Sequence, residues 1–221
     1  MSIANSNQLM RRALRARTTI AGFNVPYLPM VEPIVRALKD TRAFGFVMVA
    51  RLEWEKMGSG SLEAVAEEYA RFRDDAFTRL HLDHVPVIDE DNVRVDYEAL
   101  IRRALDAGYD SVMVDGSRLS FPENVAATRG VVAQAHARGI PVEAELGAVM
   151  GHEEGPLPPY EELFRSGKGF TDPDEARRFV AETGVDWLSV AVGSVHGAIS
   201  RARKDERKVE ARINIEHLAR L

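Results

Sequence analysis

Short apolar runs alternate along the chain with longer segments in which hydrophobic side chains recur every three or four positions. The apolar runs have the length of strands, and the periodic segments have the length of helices. The pattern predicts strands over residues 19–25, 44–50, 79–83, 111–115, 141–146 and 187–192. It predicts helices over residues 30–39, 61–75, 96–107, 123–138 and 174–183. The chain is therefore predicted to repeat a strand–helix unit.

Residues typical of helix ends stand at the borders of two predicted helices. Gly139 and Gly184 follow the last periodic positions, where glycine adopts a left-handed conformation without steric cost. Thr171, Asp172 and Pro173 predict a helix start, because side-chain oxygens there accept from unpaired amides and proline needs no donor. These signals support the helical assignments on either side of the fifth predicted strand.

Polar side chains follow nearly every predicted strand, and this distribution favours a barrel. Strands that are apolar on both faces and separated by helices pair in parallel, in an open doubly wound sheet or in a (β/α)8 barrel. A barrel gathers chemistry at the carboxyl ends of many strands, whereas a doubly wound sheet concentrates it at one switch point. The polar residues are Asn24, Asp83, His84, Asp115, Glu145 and His196. We therefore expect an α/β chain with a (β/α)8 TIM barrel fold, in which residues 1–221 form a single domain.

Composition narrows the class of protein. The 221 residues carry 29 Lys and Arg against 34 Asp and Glu, a net charge of −5, which argues against nucleic-acid binding. The sequence has no cysteine, so a disulfide scaffold, a thiolate zinc site and a cysteine nucleophile are excluded, and any metal must be held by His, Asp or Glu. No apolar run is long enough to cross a bilayer, and the amphipathic start does not resemble a signal peptide. We expect a cytoplasmic protein without membrane or nucleic-acid partners.

Two histidines and an aspartate lie close together at the end of the third predicted strand. On a regular strand His81 and Asp83 point to one face and His84 to the other, so the two histidines cannot reach the same ion. His84 lies where the chain breaks into Val85 and Pro86, which makes it the freer metal ligand, with Asp83 beside it as an acid/base. The alternative is that both histidines are core or rim residues with satisfied ring nitrogens.

Glu143 and Glu145 share one face of the fifth predicted strand. A buried strand does not carry such a pair unless that face is solvated, ion-paired or coordinating a cation. Glu145 is therefore a candidate metal ligand, and a salt-bridge network with interior Arg or Lys is the alternative. His196 lies between glycines after the sixth strand, where turn amides can hold phosphate. Such a histidine is usually a turn residue, but its position on the same rim as His84 makes it a second metal candidate.

Three further segments carry candidate residues with simpler alternatives. Asp115, followed by Gly116 and Ser117, either starts a turn or lies at a cation site. Asn24, which follows the first predicted strand, is likewise either a turn residue or a functional residue. Residues 147–169 form one long irregular segment rich in Gly and Pro, as in mobile lids and binding loops. Within it Glu153 either belongs to a solvated charge run or swings in as a proton carrier.

Several strings, taken in order, resemble one enzyme family. They are LHLDH at 80–84, DGS at 115–117, VEAELG at 142–147, TDPDEA at 171–176 and AVGSVHG at 191–197. Together they resemble the class II fructose-bisphosphate aldolases and the related tagatose-bisphosphate aldolases, from Asn24 to His196 in unchanged order. That family has a (β/α)8 barrel and is usually a homodimer or homotetramer. It uses zinc rather than a Schiff-base lysine to cleave a ketose bisphosphate into dihydroxyacetone phosphate and an aldehyde.

The resemblance implies a metal centre. His84 and His196 match two of the three zinc histidines of the family, Glu145 matches an alternate metal ligand, and Asp115 matches a secondary cation site. Zinc would polarise the ketone and stabilise the enediolate, so that no catalytic lysine is needed.

The resemblance also implies acid/base and substrate-binding residues. Asp83 matches the acid/base at the C4 hydroxyl, and Glu153 matches the glutamate that moves the proton at C1. Asn24 matches a substrate-binding asparagine, Gly197 part of the phosphate cradle, and Ser117 is expected beside the substrate as well. We expect a lyase of carbohydrate metabolism acting on a phosphorylated ketose.

The chain departs from the family pattern at its C-terminal end. A seventh strand of the family brings the third zinc histidine and a GGSG phosphate loop, and an eighth brings an Asn-containing segment, none of which occurs here. Because a (β/α)8 barrel typically needs ~250 residues, we expect the last two βα units to be missing, and dihydroxyacetone phosphate to bind weakly. The chain is either part of a longer enzyme or a short relative in which Glu145 or His152 completes the metal site. The alternative function is a non-catalytic barrel that binds metal or sugar phosphate, or that partners an active paralogue.

Overall fold

A sheet of six parallel strands forms the centre of the structure. The computed structural model describes residues 5–147, 160–194 and 211–221. Within these residues the strands are β1 (Ala21–Asn24), β2 (Gly45–Ala50), β3 (Thr78–Pro86), β4 (Ser111–Asp115), β5 (Val142–Leu146) and β6 (Trp187–Val190). Each strand pairs in parallel with the next, so the order in the sheet is the order along the chain. This is the arrangement of an open part of a (β/α) barrel wall.

Helices connect the strands and cover the outer side of the sheet. They are α1 (Ser6–Ala16), α2 (Val31–Asp40), α3 (Arg51–Lys56), α4 (Leu62–Phe72), α5 (Tyr97–Ala107), α6 (Phe121–His136), α7 (Tyr160–Ser166), α8 (Pro173–Thr183) and α9 (Ile215–Leu218), with a 3-10 turn at Leu28–Met30. In the outer layer α2 packs on α4, α4 on α5, α5 on α6 and α6 on α8. Over the described ranges, no helix combines the length and apolar character that a bilayer span requires.

Valine and leucine side chains from both faces of the central strands form the core. Val47 and Val49 of β2 and Leu80 and Leu82 of β3 are all fully buried. In β4 every residue up to Val114 is buried. Because successive side chains of a strand point to opposite faces, such consecutive burial means that both faces of these strands are covered. This explains why the strands appear in the sequence as continuous apolar runs.

The six predicted strands and the parallel α/β class are confirmed, and the six described strands form one open sheet in chain order. The pattern ends β3 at Asp83, which is wrong, because the strand continues to Pro86. The pattern also leaves residues 147–169 irregular throughout, whereas Tyr160–Ser166 form α7. Helix α3 was not predicted, because its six residues are too few to display a helical period.

The predicted borders of α8 are confirmed. Asp172 is the N-cap, and its carboxylate accepts the N–H groups of Asp174 and Glu175 at 2.9 Å each. Gly184 ends the helix with a φ of 71°, the left-handed conformation that glycine adopts most readily. Thr171, just before the cap, accepts the N–H of Ala191 at 2.8 Å and thereby ties the start of this unit to the end of β6.

β1 and β6 are the two edges of the described sheet. β1 is largely exposed, and Phe23 keeps 40% of its surface accessible. A groove of about 710 Å³ lies between this strand and α2, lined mainly by apolar side chains that include Phe23, Met30 and Ile34. In an eight-stranded barrel the last βα unit would cover this side of β1.

Gly116 packs against Asn124, and this contact offers a test of the fold. A Cβ atom at position 116 would come within 2.2 Å of Asn124 Oδ1. Asn124 is buried, and its Nδ2 donates to the carbonyl oxygen of Glu145 at 3.0 Å. We expect Gly116→Ala to lower the free energy of unfolding by about 1–3 kcal/mol through overpacking, as measured by urea denaturation.

Gly130→Ala is the matched control. Gly130 lies on an exposed turn of α6, where the described structure leaves the space around an added Cβ empty. Alanine favours a helix over glycine by up to about 1 kcal/mol, so this variant should be as stable as the parent or more stable. Equal losses in the two variants would contradict the packing explanation.

Candidate metal and acid/base site

His84, Asp115 and Glu145 converge at the carboxyl ends of β3, β4 and β5. His84 Nδ1 lies 3.6 Å from Asp115 Oδ2 and 3.4 Å from Glu145 Oε2. One ligand atom of each residue lies within 4.8 Å of those of the other two. The three strands are neighbours in the sheet, and parallel pairing brings their ends to the same edge. We refer to these three residues as the metal group.

An irregular backbone turns His84 into the metal group. His84 has a φ of 37°, a left-handed conformation that residues other than glycine rarely adopt. The register between β3 and β4 shifts between Leu82 and Val85, as at a β-bulge. A regular strand, as predicted from the sequence, would place Asp83 and His84 on opposite faces of the sheet. The bulge breaks that alternation. The two side chains therefore lie close enough for the charge of Asp83 to act on His84.

Local hydrogen bonds fix the two carboxylates of the metal group. Asp115 Oδ1 accepts the N–H of Ser117 at 2.9 Å, so Asp115 both starts a turn and belongs to the site. Glu145 is 2% exposed, and its backbone carbonyl is held by Asn124. Glu145 Oε2 has no hydrogen-bond partner among the residues that the structure describes. A buried carboxylate oxygen without a partner is costly, and a bound cation would satisfy it.

His84 and Asp115 form an ion pair. Burial alone would lower the pKa of His84, but the adjacent carboxylate of Asp115 and the charges of Asp83 and Glu145 outweigh it and raise that pKa to about 10. Burial also acts to raise the pKa of Asp115, but the adjacent imidazole of His84 and the hydrogen bond from Ser117 overcome it and hold that pKa below its ordinary value. The pair is therefore an imidazolium beside a carboxylate.

Two other carboxyl groups in this region resist ionisation. Burial, and next the charge of Asp115, raise the pKa of Glu145 to about 8, against the opposing effect of His84. Burial and the charge of Asp83 raise the pKa of Glu143 to about 7. The alternative predicted from the sequence is that interior Arg or Lys pairs with these glutamates. In the described residues the basic side chains beside them are those of His81 and His84.

The donors of the metal group suit a divalent cation. Imidazole nitrogen and carboxylate oxygen are ligand types that zinc accepts. The unsatisfied Glu145 Oε2 is the observation that favours a cation here over a closed ion-pair network. The chain thus contains a His-Asp-Glu group that could hold a metal.

Asp83 lies beside the metal group and is held by Asn24. Asn24 Nδ2 donates to Asp83 Oδ2 at 2.8 Å and lies 3.4 Å from Glu53 Oε2. In the sheet Asp83 stands next to Ala50 at the end of β2, and it is 7% exposed. The amide of Asn24, a candidate substrate ligand from the sequence, therefore orients the candidate acid/base.

Two buried groups near the site, Glu53 and His81, make contacts that the sequence did not predict. Glu53 on α3 is 8% exposed, and it accepts the N–H of Ala50 at 2.8 Å. Its only sequence signal is a spacing of three residues from the helix start, as in a capping box. His81 is a core histidine, but only Nδ1 is satisfied, by Ser111 Oγ at 2.8 Å. In the described part of the chain His81 Nε2 has no hydrogen-bond partner, whereas the alternative interpretation as a core histidine has both ring nitrogens satisfied.

Four candidate residues lie outside the described residues: His152, Glu153, His196 and Gly197. Ser117 is described, and through its N–H it lies against Asp115 at the rim of the sheet. The structure thus brings together His84, Asp115 and Glu145, with Asp83 and Asn24 beside them.

Comparison with known proteins assigns the chain to a family. The family model described as fructose-bisphosphate aldolase class-II matches residues 4–221. The chain belongs to this family. The resemblance inferred from LHLDH, VEAELG and the other strings is thereby confirmed.

Relatives of the chain within the class II family are longer. The fructose-bisphosphate aldolase of Giardia intestinalis is 31% identical over 198 residues, which cover 90% of this chain and 56% of the relative. That of Geobacillus stearothermophilus is 32% identical over 201 residues, which cover 89% of this chain and 63% of the relative. The crystal structure of the YdjI aldolase from Escherichia coli K12 superposes with a TM-score of 0.67 at 27% identity, over 86% of this chain and 62% of that one. The chain therefore spans less than two thirds of the length of these relatives.

Metal binding to this class II family member should release protons. A cation binds the deprotonated forms of His84 and Glu145, whose pKa values lie at about 10 and about 8. Protons compete with the metal below those values, so affinity should strengthen by roughly ten- to hundredfold per pH unit between about pH 6 and pH 8. Calorimetric titration with zinc in buffers of different ionisation enthalpy should report a release of one to about two protons. An affinity that does not change with pH would count against this site.

Proposed function

We propose that this chain is a zinc-dependent class II aldolase, a carbon–carbon lyase. It would cleave fructose 1,6-bisphosphate or tagatose 1,6-bisphosphate through an enediolate, giving dihydroxyacetone phosphate and glyceraldehyde 3-phosphate. Family membership supports the reaction class. The observation that carries the proposal is the convergence of His84, Asp115 and Glu145 around an unsatisfied carboxylate oxygen, next to the buried Asp83.

The metal would be held by residues at the ends of successive strands. His84 and Glu145 would be ligands, His196 would add a second imidazole, and Asp115 would hold a secondary cation. A bound zinc ion supplies a Lewis acid for the ketone oxygen and for the negative charge that develops on it. Glu145, with its raised pKa, would lose its proton on binding, because the cation replaces the positive charge of His84 as the partner of the carboxylates.

Asp83 would take the proton of the C4 hydroxyl. As that proton leaves, the bond between C3 and C4 breaks, C4 becomes the aldehyde carbon, and the electron pair of the bond moves toward the ketone. Asn24 donates to Asp83 Oδ2 and so limits the orientations of the carboxylate, which favours a single direction of proton transfer. Glu153 is proposed to return a proton to the carbon that becomes C1 of dihydroxyacetone phosphate.

The remaining roles belong to the same proposal. Gly197 would contribute amides to the phosphate cradle, and Ser117 would contact the substrate from its position beside Asp115. The protein would be cytoplasmic and would assemble as a homodimer or homotetramer, which light scattering can test.

Loss of the imidazole at position 84 tests the metal site. We expect His84→Ala to lower zinc affinity and ketose bisphosphate cleavage by at least about a hundredfold, because a ligand matters more than the groups that orient it. Zinc content by elemental analysis and cleavage by a coupled assay would be measured on the same preparation.

His136→Ala is the matched control for that experiment. His136 lies on α6, bonded to Asp186 at 2.8 Å and partly exposed, so the variant removes a histidine without touching the site. It should keep both zinc and activity. Parent protein that binds about one zinc per chain without cleaving any ketose bisphosphate would instead support a non-catalytic metal-binding relative.

Asp83→Asn separates proton transfer from metal binding. The amide keeps the size of the side chain but cannot accept the hydroxyl proton, so kcat should fall by about 10²–10⁴-fold while zinc content stays constant. Single-turnover kinetics would measure the loss. Retention of full kcat would remove Asp83 from the mechanism.

A further inference from the structure

His81 and Glu143 form a second pair of polar residues, one layer of side chains below the candidate site. His81 and Glu143 each stand two residues before a site residue, Asp83 on β3 and Glu145 on β5. Residues two apart on a strand share one face, so both side chains project toward the interior beneath the site. Neither residue has a role in the proposed reaction.

The imidazole of His81 is held on several sides. It is 2% exposed, and Nδ1 shares a 2.8 Å hydrogen bond with Oγ of Ser111, its neighbour in the register of β3 and β4. The rings of Phe46 on β2 and Trp187 on β6 lie with their centroids 6.0 Å from the imidazole. Burial lowers the pKa of His81 to about 4, so the ring is neutral. With one nitrogen anchored and the ring packed, Nε2 keeps a constant direction.

That direction leads to Glu143. His81 Nε2 lies 3.5 Å from Glu143 Oε2, and within the described ranges it makes no hydrogen bond. A shift of about half an ångström in the carboxylate would close this gap to a hydrogen bond. Glu143 also lies within electrostatic reach of Asp83 and His84. Glu143 thus lies beside the imidazole of His81 and on the same face of β5 as Glu145, two residues before it.

The number of carboxylates around a cation influences which cation is preferred. His84 already faces Asp115 and Glu145. A further carboxylate favours cations such as Mn²⁺ and Mg²⁺, whereas imidazole nitrogen favours zinc. The location of Glu143 therefore matters for the choice of metal.

We propose that His81 is a positioning residue that keeps the Glu143 carboxylate in the interior layer, out of the metal group, and so biases the site toward zinc. The inference rests on the proposed function, because it requires a divalent cation at His84. Ser111 contributes by holding the other ring nitrogen of His81.

Metal affinities of the purified protein, measured by competition with a chromophoric chelator, test this inference. His81→Phe keeps an aromatic ring but removes both nitrogens. We expect it to raise the ratio of Mn²⁺ to Zn²⁺ affinity by roughly tenfold. Ser111→Ala loosens the imidazole without removing it, and should shift the ratio in the same direction by a smaller factor. The second variant gives the answer if His81→Phe does not fold.

A Glu143→Gln background makes the test specific. In that background neither substitution should change the ratio, because no carboxylate is left to move. Val112→Ala is the matched control, since the fully buried Val112 side chain lies on the opposite face of β4 from Ser111 and the imidazole of His81. We expect it to lower the melting temperature and leave the ratio unchanged.

Two results would overturn the inference alone while zinc binding is retained. One is a shift that persists in the Glu143→Gln background, and the other is an unchanged ratio in the folded single variants. Parent protein that binds neither ion would overturn the proposed function, and this inference with it.

Discussion

The attraction between the His84 imidazolium and the carboxylates around it is the interaction on which the site depends. Asp83, Asp115 and Glu145 meet at one edge of the sheet, largely shielded from water. Burial penalises each charge, and the carboxylates repel one another. The pKa values of both His84 and Glu145 are raised as a result, because the imidazole keeps its proton and its positive charge while the glutamate resists losing its proton. Because a divalent cation would offset the repulsion between these carboxylates, we expect its binding to displace protons from the site.

Parallel pairing creates this crowding. Each strand of the sheet runs in the same direction, so residues at the carboxyl ends of β3, β4 and β5 become neighbours although helices separate them along the chain. The valine-rich core holds the strands in register, and the fully buried Val112 and Val114 lie on the strand that ends in Asp115. The polar site is therefore positioned by apolar packing.

The left-handed conformation at His84 is the local cost of this arrangement. A non-glycine residue in that region is strained, and such strain persists only where the surroundings hold it in place. Leu82 and Val85, on either side of the register shift, are fully buried and supply that constraint. Without the shift, Asp83 and His84 would face opposite sides of the sheet, and the candidate acid/base would be separated from the metal group.

Sequence alone determined the strand–helix alternation, the caps at Asp172 and Gly184, and the residue types at the strand ends, because periodicity and helix-border chemistry are local properties. The motif strings, VEAELG among them, also sufficed to identify the family. Tertiary structure decided which of these residues meet. The bulge at His84 follows from how β3 and β4 pair, and no local pattern encodes it. The burial of Glu53 and His81 is likewise a property of the tertiary structure. The unsatisfied nitrogen of His81 can be recognised only once the neighbouring strands are in place.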